Sequence, residues 1–259
     1  MLNDMTLKLL PVFLLVFVRV LGFFVTMPIF SYRTIPLPFK IGMSFYLAIA
    51  MTYAVNDAAI SWNSTFPVLL VKELFVGILI GLIAYMVLAA VQIAGGFIDF
   101  QMGFAIANVI DPQTGAQSPL IGQYFYMIAL LFLLSVNGHH LLIDGIYNSY
   151  QFIPIDRFIP FSRDGIIDFV IDVFTNMFLI AFQIAIPIVG CLFLVDIALG
   201  IIARTVPQLN VFVVGLPLKI LVSFIALVLF FGLYITLVRT LFDGLFKTMR
   251  GLMQLFGGG

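Results

Sequence analysis

The sequence predicts an all-α membrane protein built from long helices, and three observations carry that prediction. Hydrophobic residues make up 63% of the chain and charged residues 9%, with a mean hydropathy of +1.21, against roughly 25% charged in an average soluble domain. Several apolar runs reach or exceed the roughly 20 residues needed to cross a hydrocarbon core. Pro- and Gly-rich stretches separate these runs, and single charges sit inside them, so the helices are expected to be kinked and to pack on one another rather than stand alone in lipid. Zero net charge gives no reason to expect a nucleic-acid partner. The single cysteine, Cys191, permits neither an intrachain disulfide nor a cysteine metal cluster.

Taken in order, residues 7–30 form the first run, with Arg19 near its middle. A lone charge there costs several kcal/mol in lipid, so Arg19 should face protein or water. The run lacks a small-residue cleavage site and does not read as a removed signal peptide. Residues 32–40 are a proline-punctuated loop, residues 41–55 are short for a span, and residues 56–65 are a connection. Residues 66–98 would make one helix of about 50 Å, longer than a hydrocarbon core of roughly 30 Å. Within it Glu73, Gly77 and Gly81 share a face at i, i+4 and i+8. Small residues there let another backbone approach, and the carboxylate needs a donor from that neighbour. Gly95, Asp99 and Gly103 repeat the pattern.

Residues 95–123 then depart from their surroundings, with five glycines, two prolines and two aspartates between apolar segments. Irregular backbone at membrane depth is tolerated only where protein buries it or water wets it, so this stretch should line or block a passage. The alternative is a long surface loop. Phe104, Ile106, Val109 and Ile110 are too apolar for a freely solvated one.

Residues 120–136 are apolar again, and Asn137-Gly138-His139-His140 ends that helix, placing the histidines beside its last carbonyls. Residues 144–168 read as a surface connection and a candidate boundary between two halves, 1–160 and 161–259. The second half holds two long runs, 166–206 and 211–255, with Pro187 and Pro217 as expected kinks. Asp196, Gly200 and Arg204 share a face, and Arg239, Asp243 and Lys247 form an i, i+4 ladder suited to helix leaving the apolar zone. Gly257-Gly258-Gly259 reads as a flexible end. In a six-span arrangement Lys and Arg divide six against four between the two sides, too even to set an orientation.

For Arg19, Glu73, Asp99, Asp196 and Arg204 the expectation is structural pairing between packed helices; a proton or ion path is the sharper alternative. Midplane charges also fit an ion-coupled small-molecule secondary transporter, although no inverted pair of broken helices relates the halves. His139, His140 and Asp144 make a poor metal site: adjacent histidines point to different faces of a helix, and no third ligand stands at usable spacing. No nucleophile elbow, phosphate-binding loop or HExxH pattern is present, so neither an enzyme nor a cofactor is expected.

Several short motifs occur in a fixed order: Gln101-Met102-Gly103-Phe104, Asp111-Pro112-Gln113-Thr114-Gly115-Ala116-Gln117-Ser118-Pro119, Asn137-Gly138-His139-His140, and Lys72-Glu73-Leu74. With Pro207-Gln208-Leu209-Asn210 and Gly215-Leu216-Pro217-Leu218-Lys219 they resemble the FliR family, a subunit of the type III export gate of flagella and of related injection machines. The resemblance covers nearly the whole chain. It implies a bacterial inner-membrane protein of the flagellar basal body, with a P-subunit-like first half and a Q-subunit-like second half packed in a helical hetero-oligomer. The implied partners are FliP-type and FliQ-type subunits, FlhB-type and FlhA-type export components, unfolded flagellar substrates and membrane lipid. It also implies that residues 104–117 help plug the channel, with Phe104, Ile106, Val109, Ile110, Asp111, Pro112, Gly115 and Gln117 as the gating set.

Overall fold

The computed structural model describes residues 2–31, 35–55, 60, 62–104, 119–157, 165–206, 208 and 210–257, with the side chains of 2–8 and 54 left aside. Among these residues the secondary structure is helical throughout: α1 (Leu2–Thr26), α2 (Leu37–Ala54), α3 (Phe66–Met102), α4 (Leu120–Ser135), α5 (Gly138–Phe152), α6 (Ile166–Thr205) and α7 (Val211–Gly257). Helix is what an apolar medium selects, because it satisfies each backbone N–H and C=O within its own segment. α3 runs unbroken for 37 residues, about 55 Å at 1.5 Å per residue. Pro187 and Pro217 both lie inside α6 and α7, which continue past them.

Among the described residues four helices, α1, α3, α6 and α7, are long and apolar enough to cross a membrane; counting the bent pair α4 and α5 as one span makes five. α2 is only 18 residues long. The chain bends by 73° between α4 and α5, where Asn137 takes up the left-handed conformation (φ 56°) that asparagine tolerates better than most side chains. The stop after residue 136 is as the sequence indicates, but the histidines are not at the end of α4. They occupy the first turn of α5, His139 half-buried and His140 exposed, with their rings 4.1 Å apart.

The chain forms two compact units. The first comprises Met1–Val87, Leu134–Val173 and Asp243–Gly259; the second comprises Leu88–Leu133 and Phe174–Phe242. In the first, Leu15, Val16, Val20, Phe23 and Phe24 of α1 are fully buried, as are Ile80 of α3 and Leu142 and Ile146 of α5. Residues 144–152, expected as surface connection, are therefore core-forming helix. The stripe Leu142, Ile146, Ser149 and Tyr150 supplies the buried face, while exposed Asp144, Asn148 and Gln151 mask the pattern. At the far end Gly257 is helical and its missing side chain makes room for the Phe152 carbonyl, so only Gly258 and Gly259 of the glycine end fall outside the described residues.

In the second unit, Phe125 of α4 stacks on Tyr234 of α7 with ring centroids 4.3 Å apart, and the Tyr234 hydroxyl donates to the Phe125 carbonyl. Phe97 of α3 meets Phe182 of α6 edge-on at 5.3 Å. Most of the surface of α6 and α7 stays uncovered by the chain: 17% of the apolar window of α7 is buried, against 56% for α3. Val228 and Leu229 are 78% and 74% exposed, a placement stable only against lipid or another apolar surface.

Candidate functional site

Two groups of polar side chains stand out in the apolar interior, one in each unit. In the first unit α1 and α3 approach closely because a side-chain carbon at Gly77 would fall on the Arg19 carbonyl, and one at Gly81 would fall on the Thr26 hydroxyl. That approach brings Arg19 to Glu73, both fully buried. The guanidinium clamps the carboxylate with two bonds, from Nε to Oε2 and from Nη2 to Oε1, the second at 3.0 Å. Its remaining donors reach the Ser149 hydroxyl at 3.0 Å and the Ile153 carbonyl at 2.8 Å, both on or just beyond α5. The Tyr150 ring lies under the guanidinium at 4.1 Å, a cation–π contact that dehydration strengthens.

Lys72 adds a second cation to Glu73 at 2.6 Å and donates to the carbonyls of Pro154 and Ile155 at 2.7 and 3.2 Å. Both oxygens of Glu73 are therefore occupied, and four Arg19 hydrogen bonds are made. Such saturation is what makes a dry charge tolerable. The sequence pointed to Arg19, Glu73, Gly77 and Gly81 but not to Ser149, Tyr150 or the carbonyls at 153–155. Lys72, directly before Glu73, was the one partner with a local signal.

The second group frames the polar stretch. α3 stops in a Schellman arrangement: Gly103 has φ +89°, its N–H donates to the Phe100 carbonyl at 3.2 Å, and the Phe104 N–H donates to the Asp99 carbonyl at 3.0 Å. The side chain of Asp99, 2% exposed, turns to the start of α4 and accepts from the Ile121 N–H at 3.0 Å. A carboxylate suits that place, where unpaired N–H groups and the helix dipole are both positive. Among the described residues its Oδ1 finds no hydrogen-bond partner. A side-chain carbon at Gly95 would collide with the backbone of Gly122, so the two helices touch main chain to main chain. The end of α3 and the start of α4 are thus pinned together at the base of residues 105–118. Phe104 is half-buried at the edge of this frame. Ile106, Val109, Ile110, Asp111, Pro112, Gly115 and Gln117 lie outside the described residues.

Asp196 of α6 pairs with Lys219 of α7 and accepts from the Gln101 amide at 2.8 Å. This pair is half-wet, with side chains 36% and 22% exposed, and it borders a cleft of about 490 Å³ lined also by Gly103, Gly200 and Leu216. Gly200 faces open space and Arg204 is exposed, so the face drawn through Asp196, Gly200 and Arg204 does not bring its two charges to each other.

Over 251 residues the chain is 55% identical to the flagellar biosynthetic protein FliR of Bacillus subtilis (strain 168), covering 96% of this chain and 97% of that one. Residues 10–245 match the family described as bacterial export proteins, family 1. The chain belongs to the FliR family. Similarity extends to FliR of Escherichia coli (strain K12), at 29% identity over 91% of this chain and 90% of that one. The FliR-family match also takes in the Yop proteins translocation protein T of Yersinia pestis, at 28% identity over 89% of each chain. It is accordingly a bacterial export protein with membrane-crossing helices, and not an enzyme.

Proposed function

We propose that this FliR-family chain is a subunit of the flagellar type III export gate in the bacterial inner membrane. It helps form the channel for unfolded flagellar proteins and contributes residues 104–117 to the plug that closes it. The observation that carries the reading is the end-to-end identity of 55% with a flagellar biosynthetic protein. The reading is supported by the contact of the two flanking helix ends, where Asp99 accepts from the Ile121 N–H and Gly95 meets Gly122 main chain to main chain. Apolar residues such as Phe104, Ile106, Val109 and Ile110 close a narrow pore by dewetting it, and Asp111, Pro112, Gly115 and Gln117 let the segment change conformation.

The exposed apolar faces of α6 and α7 are suited to lipid and to neighbouring subunits. On this reading residues 1–160 are P-subunit-like and 161–259 Q-subunit-like, in a helical hetero-oligomer with FliP-type and FliQ-type subunits that works with FlhB-type and FlhA-type components. Arg19, Glu73, Gly77, Gly81, Asp99, Asp196 and Gly200 then serve packing rather than ion transport. A carrier with its substrate on Glu73 is disfavoured, because Arg19 and Lys72 already occupy both carboxylate oxygens.

Deleting residues 104–117 tests the plug. The gate should still assemble, judged by co-purification of its subunits, while the membrane becomes permeable to ions. An assembled mutant gate with an intact ion barrier would overturn the assignment.

A further inference from the structure

Between α5 and the C-terminal part of α7, within the first unit, lies a cleft of about 430 Å³ that Arg19 and Glu73 do not line. Its rim is polar on both sides. α5 contributes Asp144, Asn148 and Gln151, which share one face at i, i+4 and i+7, and α7 contributes Lys247 and Arg250. Its floor is apolar, made by Phe152, Phe246, Met249 and Met253. The floor closes where Gly145 leaves space for Met249, whose Cε would sit 2.7 Å from a side-chain carbon there.

Three features describe what fits. Among the described residues neither Lys247, Arg250 nor Asp144 has an ion-pair partner, although opposite charges share the rim. The charges recur just where α7 ends an uncharged run: residues 220–238 carry none, and Arg239, Asp243, Lys247 and Arg250 follow within one short segment. A run of that length is about 29 Å of helix, close to one hydrocarbon thickness, so the cleft lies on the part of α7 that emerges from the apolar zone. Finally, a polar rim over an apolar floor matches a molecule with a charged head and a greasy body, and a free anion would not need the floor.

We propose that this cleft holds the headgroup of an amine-bearing phospholipid. Its phosphate sits between Lys247 and Arg250, the amides of Asn148 and Gln151 bond the remaining phosphate or ester oxygens, and its primary ammonium donates to Asp144. The glycerol and upper acyl carbons rest on Met249, Met253 and the two phenylalanines. Lys247 and Arg250 on one wall match the phosphodiester and Asp144 on the other matches the ammonium, and basic pockets between membrane helices hold lipid head groups. Asp144 supplies the selectivity: a primary ammonium offers N–H donors to a carboxylate, whereas a quaternary choline offers none. This inference stands apart from the plug and from gate membership.

The test uses the full chain, delipidated in mild detergent, offered phosphatidylethanolamine, phosphatidylcholine or phosphatidylglycerol in turn, with retained lipid counted by native mass spectrometry. One phosphatidylethanolamine should be retained in preference to the other two. K247A/R250A should lower its retention roughly tenfold or more, and Asp144→Asn should abolish the preference over phosphatidylcholine and phosphatidylglycerol while leaving lipid bound. The conservative K247R should keep both properties, and unchanged helical content by circular dichroism separates lost binding from lost fold. Equal retention by the double variant would overturn the proposal, as would displacement of the lipid by millimolar inorganic phosphate, which would make the cleft a phosphate site only.

Discussion

The Arg19–Glu73 cluster and the Asp196–Lys219 pair are both ion pairs between helices, yet they differ in the one property that sets their energetic weight. The first is dry, with both side chains at 0% exposure, two-pronged, and backed by Lys72, Ser149, the Tyr150 ring and three backbone carbonyls. The second is reached by solvent, contacts through one carboxylate oxygen, and has only Gln101 as a further partner. Dehydration raises both the attraction between charges and the penalty of losing a partner, so the first behaves as a lock and the second as an adjustable contact. The difference teaches that charge in an apolar sequence has no fixed meaning. Its value follows from how many donors and acceptors the fold converges on it.

The largest expected effect comes from breaking the lock. Glu73→Ala leaves Arg19 and Lys72 buried without their anion and should cost about 3–5 kcal/mol, read as loss of the folded, monodisperse chain in a detergent melting experiment. The double variant Arg19→Met with Glu73→Met should cost less than Glu73→Ala, since Lys72 alone, and not Arg19 as well, is left without its anion; a double variant that melts lower would show that the pair contributes net stability beyond mutual neutralisation.

An intermediate effect is expected at Asp99, which is as buried as the lock but has a backbone group as its partner. Asp99→Ala leaves the Ile121 N–H unsatisfied and should cost about 1–3 kcal/mol. The loss should be local: hydrogen exchange at Ile121 and Gly122 should accelerate by roughly ten- to a hundredfold, with the first unit unaffected. Acceleration in both units would mean that the start of α4 is not an independent element.

The smallest effect belongs to the wet pair. Lys219→Ala should change stability by about 0–1 kcal/mol, because solvent and Gln101 still serve Asp196. A cost as large as that of Glu73→Ala would erase the contrast between the two ion pairs.

Several features were legible in the residues alone. Apolar length and scarce charge gave the all-α membrane class, and Asn137-Gly138 marked the break between α4 and α5. Gly77 and Gly81, one turn apart on the face of Glu73, announced a close helix contact, since a stripe of small residues in lipid has few other uses. α5 was less legible, because its exposed Asp144, Asn148 and Gln151 made core helix resemble surface connection.

What the sequence determined by itself was therefore local: where the long apolar runs break, which faces are small or apolar, and which charges must find company. Family membership also belongs to it, being written in motifs along nearly the whole chain. Only the tertiary structure decided which company each charge keeps. Arg19 meets Ser149 and Ile153 some 130 positions away, Asp99 meets Ile121 across the polar stretch, and Asp196 takes Lys219 rather than Arg204 on its own helix. The physical reason is that periodicity fixes a side chain's direction around its own helix axis, whereas the partner and the degree of drying depend on which helices pack together.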